Sequence, residues 1–187
     1  YVADSTKGLA IINISDPTNP GSPVYESTST SCTGCDPYDV AIIGNYAYVA
    51  GSSPGLAIID ISDPTNPGSA LWKDTNGYAL GISISGNYAF LSLGGAGLGI
   101  INISDPTNPG MPVYMATRGD AQGVTVSGNY AYVADDKAGF PSYSSGLAII
   151  PLNMSSLTYT IASLPTNGKL KDGGTVITAA GDLSGAL

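Results

Sequence analysis

Histidine is absent from these 187 residues, and charge is scarce: 14 acidic and 6 basic side chains, 11% of the chain, net −8. Each shortage excludes something. Without histidine there is no Ser-His-Asp triad, no Cys-His pair and no His-ligated zinc or haem. Six basic residues scattered along the chain cannot neutralise a run of phosphates, so no nucleic-acid partner is expected. No stretch approaches ~18 consecutive apolar residues, so no membrane insertion is expected. The chain lacks the Ala, Glu, Lys, Leu and Arg excess of a coiled coil. Its 43% hydrophobic content sets it apart from a disordered acidic tail. What it has in quantity is glycine, 25 residues, and proline, 13. That is the composition of a turn-punctuated all-β protein, long enough to bury a real core, and a non-enzyme is the expectation.

Internal repetition accounts for much of the glycine and proline. Ile-Ser-Asp-Pro-Thr-Asn-Pro-Gly stands at 14–21, 61–68 and 103–110. Gly-Asn-Tyr-Ala stands at 44–47, 86–89 and 128–131, and Gly-Leu-(Ala/Gly)-Ile-Ile at 8–12, 55–59, 97–101 and 146–150. The basal period is 42, with five residues inserted before Gly44 and seven after Ala134. The first residues read as the middle of a repeat, as in a fragment of something longer, and no signal peptide precedes them.

Each period reads as four short strands. In the second copy these fall at 40–43, 46–50, 56–61 and 70–74. Gly44-Asn45 is a two-residue hairpin turn, since both residues take positive φ cheaply. The third strand is apolar on both faces, which points to burial on both. Asp63-Pro64-Thr65-Asn66 reads as a type I turn, with Asp16 and Asp105 in the same role, and Pro67 prevents a helix from starting there. Four strands per repeat is the signature of a propeller blade.

These strings resemble the LVIVD repeat family over residues 1 to about 155. The resemblance implies a β-propeller-type array of about four four-stranded blades, on a secreted or surface-anchored protein, with no catalytic residues to carry over. The blades fall at about 1–35, 36–77, 78–119 and 120–156, and the first lacks its opening strand. The fourth departs from the pattern at Pro151, which suits an edge or terminal strand.

Residues 157–187 change style and resemble the start of cadherin-like or immunoglobulin-like repeats of bacterial surface proteins. Residues 159–163 fall near the expected last strand of blade four. Thr175, Val176, Ile177 and Thr178 resemble the strand that blade one lacks, so they are expected to fill that slot in their own chain or in a neighbour, because open ladder edges are adhesive.

Four features could carry function. Cys32 and Cys35, in the first insertion, are close enough for a local disulfide, which would imply an extracellular compartment; free thiols are the other reading, and zinc lacks its further ligands. The second insertion offers Asp135, Asp136, Phe140 and Tyr143, either as loop decoration or as a partner-binding surface for a protein or glycan. Strand alternation puts both insertions on one face. Asp135 and Asp136 could help hold Ca²⁺, although no Asp-x-Asp-x-Asp-Gly loop exists; otherwise no cofactor or metal is expected. Asn13, Asn102 and Asn153 match the glycosylation sequon, but an Asn closing a strand before a turn explains the first two more simply. Tyr46, Tyr88 and Tyr130 recur at one repeat position, which favours packing over a sugar platform.

The expectation is a non-catalytic extracellular or cell-surface module, structural or adhesive. Since a truncated blade should fray, self-association into a filament or array by strand sharing is its sharper form. A glycan- or protein-binding propeller and, further off, a propeller enzyme are the alternatives.

Overall fold

The structure, a computed structural model, describes residues 1–28, 36–136, 145–152, 171–172 and 175–176. Among these there is no helix. Strands β1 (Val2–Asp4), β2 (Gly8–Ile11) and β3 (Val24–Glu26) form a first antiparallel sheet. A second holds β4 (Pro37–Ile43), β5 (Tyr46–Gly51), β6 (Gly55–Asp60) and β7 (Leu71–Asp74). The third holds β8 (Gly81–Ser85), β9 (Tyr88–Ser92), β10 (Leu98–Asn102) and β11 (Val113–Met115). The fourth holds β12 (Asp120–Ser127), β13 (Tyr130–Asp136) and β14 (Gly146–Pro151).

Within each of these four sheets, strands adjacent in sequence are hydrogen-bonded neighbours, which gives a propeller-type array of four blades. Blade one has three strands and no counterpart of β4. The last strand expected for blade four, at 159–163, lies outside the described residues. Tyr1–Ile150 form one compact unit and Pro151–Leu187 a second. In the second unit β15 (Lys171–Asp172) pairs antiparallel with β16 (Thr175–Val176).

Pleating gives each blade two apolar faces, and the joints on either side of blade two use them in the same way. On the forward face of blade two, Tyr48, Ala50, Leu56 and Ile58 pack against Ile82, Leu91, Ile101 and Ile103 of blade three. On its rear face, Ala47, Val49, Ala57, Ile59 and Ile61 pack against Leu9 and Ile11 of blade one. Alternate residues of one strand thus serve two different joints, which is why β6 is apolar almost throughout. Each buried Leu or Ile contributes roughly 1.5–3 kcal/mol.

Fourth-strand aromatics sit opposite small residues of the third strand: Tyr25 faces Ala10, Trp72 faces Ala57 and Tyr114 faces Gly99. Small against large keeps the rear face level.

Polar bonds stitch the opening strands together. The Asp39 carboxylate accepts from the amides of Val40 at 2.8 Å and of Ile82, in the next blade, at 3.0 Å. Ser83 Oγ accepts from the Val126 amide at 3.2 Å, one joint further on. Gly94 and Ala121 exchange backbone hydrogen bonds of 3.0 and 2.9 Å across that same joint.

The Gly-Asn hairpins form with two-residue turns, Ile43 opposite Tyr46 and Ser85 opposite Tyr88. Their geometry differs from the expectation in one detail. Gly44, Gly86 and Gly128 have φ of 55°, 53° and 55°, but among the described residues the only non-glycine with positive φ is Asn76. The asparagines that follow keep negative φ, so only the first turn position requires glycine, the pattern of a type II′ turn.

Candidate functional site

Strand alternation sorts the connections onto two rims. The Gly-Asn and Asp-Pro turns lie on one. The connections between second and third strands, and the crossings from blade to blade, lie on the other.

The Asp-Pro rim is built from local hydrogen bonds. Asp16, Asp63 and Asp105 each accept from a threonine hydroxyl two residues on, at 2.7, 2.6 and 2.6 Å, and from that threonine's amide. The fourth residue's amide donates to the aspartate carbonyl at 3.1 Å in all three, closing the β-turn. These bonds, the threonine hydroxyl foremost, hold the carboxyls below their ordinary value of 3.8. Asn13, Asp60 and Asn102 precede the turns. Their Oδ1 atoms accept from the amides of Ser15, Ser62 and Ser104 at 2.9, 2.8 and 2.9 Å. The sequons at Asn13 and Asn102 are therefore Asx turns; Asn153 lies outside the described residues.

The opposite rim carries the candidate site. Asp4 repeats the aspartate–threonine device there, with Thr6, and its carboxyl is likewise lowered. Sequence reading missed it because Asp4-Ser5-Thr6-Lys7 has no proline to mark the turn. At the close of the fourth strands lie Thr28 and Thr75, both buried, and Thr117, half-buried. Thr75 Oγ1 donates to the Gly77 carbonyl at 2.8 Å and Thr117 Oγ1 to the Gly119 carbonyl at 3.1 Å. The signal was present as Thr-x-Gly at 75–77 and 117–119, one period apart. Gly55 opens β6 with φ 120°, and a Cβ there would run into the Thr75 side chain.

Asp135 and Asp136, adjacent in sequence, take different positions. Asp135 is buried, and its Oδ2 accepts from the amides of Arg118 at 3.0 Å and Gly119 at 2.9 Å, clamping the β11–β12 connection. Its Oδ1 is buried without a hydrogen-bond partner. Asp136 is exposed and accepts from the Ser145 hydroxyl at 3.0 Å. Among the described residues no three acidic or sulfur side chains converge on a cation position. Cys32, Cys35, Phe140 and Tyr143 lie outside the described residues. At the edge of the first insertion, the Asp36 amide donates to Ser52 Oγ at 2.8 Å.

Between residues 76–80 and 93–96 a cavity of about 290 Å³ opens, lined by Asn76, Tyr78, Leu80, Leu93 and the Gly94-Gly95 backbone. Tyr78 is exposed at its mouth. Thr175 and Val176 pair with Lys171–Asp172, and β1 has no partner on its outer side among the described residues; Ile177 and Thr178 lie outside them.

Four stretches, residues 1–22, 35–75, 76–117 and 118–141, match the model of the LVIVD repeat. No curated protein sequence matches the chain. The likeness of 157–187 to cadherin-like or immunoglobulin-like repeats finds no support, since the family match ends at residue 141. With well over half its length matched, and each matched stretch folded into one blade of the array, the chain belongs to the LVIVD repeat family.

Proposed function

We propose that this chain is a non-catalytic extracellular or cell-surface module, structural or adhesive, that works through protein contacts including contacts with its own kind. One observation carries the reading. The recurring carboxylates are occupied in turns, while Met111, Val113 and Tyr114, close together along blade three, stand exposed. Exposed large apolar side chains grouped on a surface favour association. Beads coated with the purified chain should cluster with one another or adhere to cells. Coated beads that stay as dispersed as beads carrying an unrelated acidic protein would overturn it.

A second reading has its own observation: a cavity beside the exposed Tyr78, between a blade-to-blade crossing and a second-to-third-strand connection. On this reading the chain is a glycan- or peptide-binding propeller that uses the Cys32–Cys35 and Asp135–Ser145 loops. Glycan-array binding lost in Phe140→Ala with Tyr143→Ala would favour this reading.

A further inference from the structure

Nine of the described residues are asparagines, and eight of them are shielded from ring closure onto the next backbone amide, the characteristic reaction of that side chain. Asn19, Asn66 and Asn108 precede proline, which has no N–H to give up. Asn13 and Asn102 precede isoleucine, branched at Cβ, and Asn45, Asn87 and Asn129 precede the bulky tyrosine. Among the described residues only Asn76 precedes glycine. It is exposed, in the crossing from blade two to blade three, and its φ of 51° is in the left-handed region that asparagine enters more readily than most residues. Asp74 Oδ1 accepts from the Asn76 amide at 2.9 Å, and Thr75 Oγ1 donates to the Gly77 carbonyl at 2.8 Å. These bonds pin the turn but leave the Gly77 N–H without a hydrogen-bond partner among the described residues. One period further on, the same place is closed. Arg118 and Gly119 are the counterparts of Asn76 and Gly77, and their amides both donate to Asp135 Oδ2. The counterpart of Asp135 is Leu93, whose side chain offers no acceptor.

We propose that Asn76 is a site of spontaneous modification, converted without an enzyme to aspartate and isoaspartate. A solvent base takes the proton from the Gly77 nitrogen, which attacks Asn76 Cγ. The new N–Cγ bond closes a five-membered imide, the Cγ–Nδ2 bond breaks, and the side-chain nitrogen leaves with that proton as ammonia. Water then adds to one of the two imide carbonyls, its hydroxyl to carbon and its proton to nitrogen. Cleavage at Cγ gives aspartate; cleavage at the main-chain carbonyl gives isoaspartate, which runs the backbone through the side-chain methylene. Glycine at 77 favours the closure because it has no Cβ to block the approach and the backbone on its side turns freely. Either product adds one negative charge to a chain of net −8, at the edge of the cavity that Asn76 and Tyr78 line. The change falls between the Thr75 and Ala79 amides, which tie this crossing to the carbonyls of Pro54 and Gly51 at 2.9 Å each.

The test is to hold the folded chain in warm, mildly alkaline buffer and follow its tryptic peptides by tandem mass spectrometry against a sample taken at the start. The peptide from Asp74 to Arg118 contains Asn76 but not Asn167, whose Asn-Gly pair lies outside the described residues. Asn76 should convert about tenfold or more faster than any other described asparagine, since only its neighbour lacks a side chain. The product should include isoaspartate, detected as a methyl acceptor for an isoaspartyl methyltransferase. Asn76→Gly suits the positive φ, so it should fold as the wild type does and lose that signal from this peptide. Arg118→Asn creates a second Asn-Gly pair at the clamped position. The introduced asparagine should react about tenfold more slowly than Asn76, because the Gly119 amide must first leave Asp135. Conversion of Asn76 no faster than that of the asparagines before tyrosine overturns the proposal. So does an Asn76 that keeps its amide in the folded chain while reacting in urea. An introduced asparagine that converts as fast as Asn76 overturns the assignment of the site to its open amide.

Discussion

Residues 55–59 and 146–150 are the same five, Gly-Leu-Ala-Ile-Ile, placed at the start of equivalent strands. In blade two this strand lies between two neighbouring blades, its alternate side chains divided between two hydrophobic clusters. In blade four the same leucine and the first isoleucine face water. Identical local sequence thus yields a core element in one place and an open surface in the other. The difference is made by what stands next in the array, so burial in a repeat protein belongs to the position in the stack.

The largest test of that contrast is the leucine itself. Leu56→Ala should cost about 2–5 kcal/mol in urea unfolding, as a lost side chain plus a cavity. Leu147→Ala should stay within about 0.5 kcal/mol for the isolated chain at low concentration. Equal losses would mean that blade four is covered in solution. Glycine gives the next effect. Gly55→Ala meets both positive φ and the Thr75 side chain and should cost roughly 1–3 kcal/mol, whereas Gly146, with open space beside it, should tolerate alanine. Thermal melts of the two variants decide this.

Asp39→Ala removes the acceptor that ties β4 to the Ile82 amide. The expected loss is about 1–3 kcal/mol. Amide exchange should quicken at Ile82 more than in the first sheet, which has no such stitch from an opening strand.

Acid gives the smallest effect and should fall evenly across the compared regions. The turn aspartates have folded-state values below 3.8, so they bind fewer protons folded than unfolded. Their contribution is present above that value and lost as pH falls through it. Glu26, whose carboxyl burial raises above 4.5, acts oppositely: its contribution declines as pH rises through that value. Stability should therefore be flat near neutrality and drop below about pH 4. Asp16→Ala in blade one and Asp63→Ala in blade two should shift that acid transition alike.

Much of this was legible in the sequence because it is local. The turns at Asp16, Asp63 and Asp105 place donor and acceptor two residues apart, and a 42-residue period repeats them unmistakably. The blade count and the missing first strand follow from the same spacing. The clamps escaped notice because their partners are distant: Asp39 reaches 43 residues ahead, and Asp135 reaches 17 and 16 residues back to Arg118 and Gly119. Asp135 and Asp136 take different positions for a related reason. Neighbours on a strand point to opposite faces, and one is buried while the other meets solvent. The open ends of the array were equally invisible, since Leu56 and Leu147 have the same neighbours in sequence.

The forward-to-rear joint also has a consequence for how such a chain can change over generations. Both joints of blade two are made by the same two surfaces, so duplicating or deleting one such 42-residue unit creates no junction that has not already been tried. Unequal recombination between the near-identical segments could lengthen or shorten the array in whole blades while each blade still finds a fitting neighbour. The near-identity of the three Ile-Ser-Asp-Pro-Thr-Asn-Pro-Gly segments is what recent copying of this kind would leave behind.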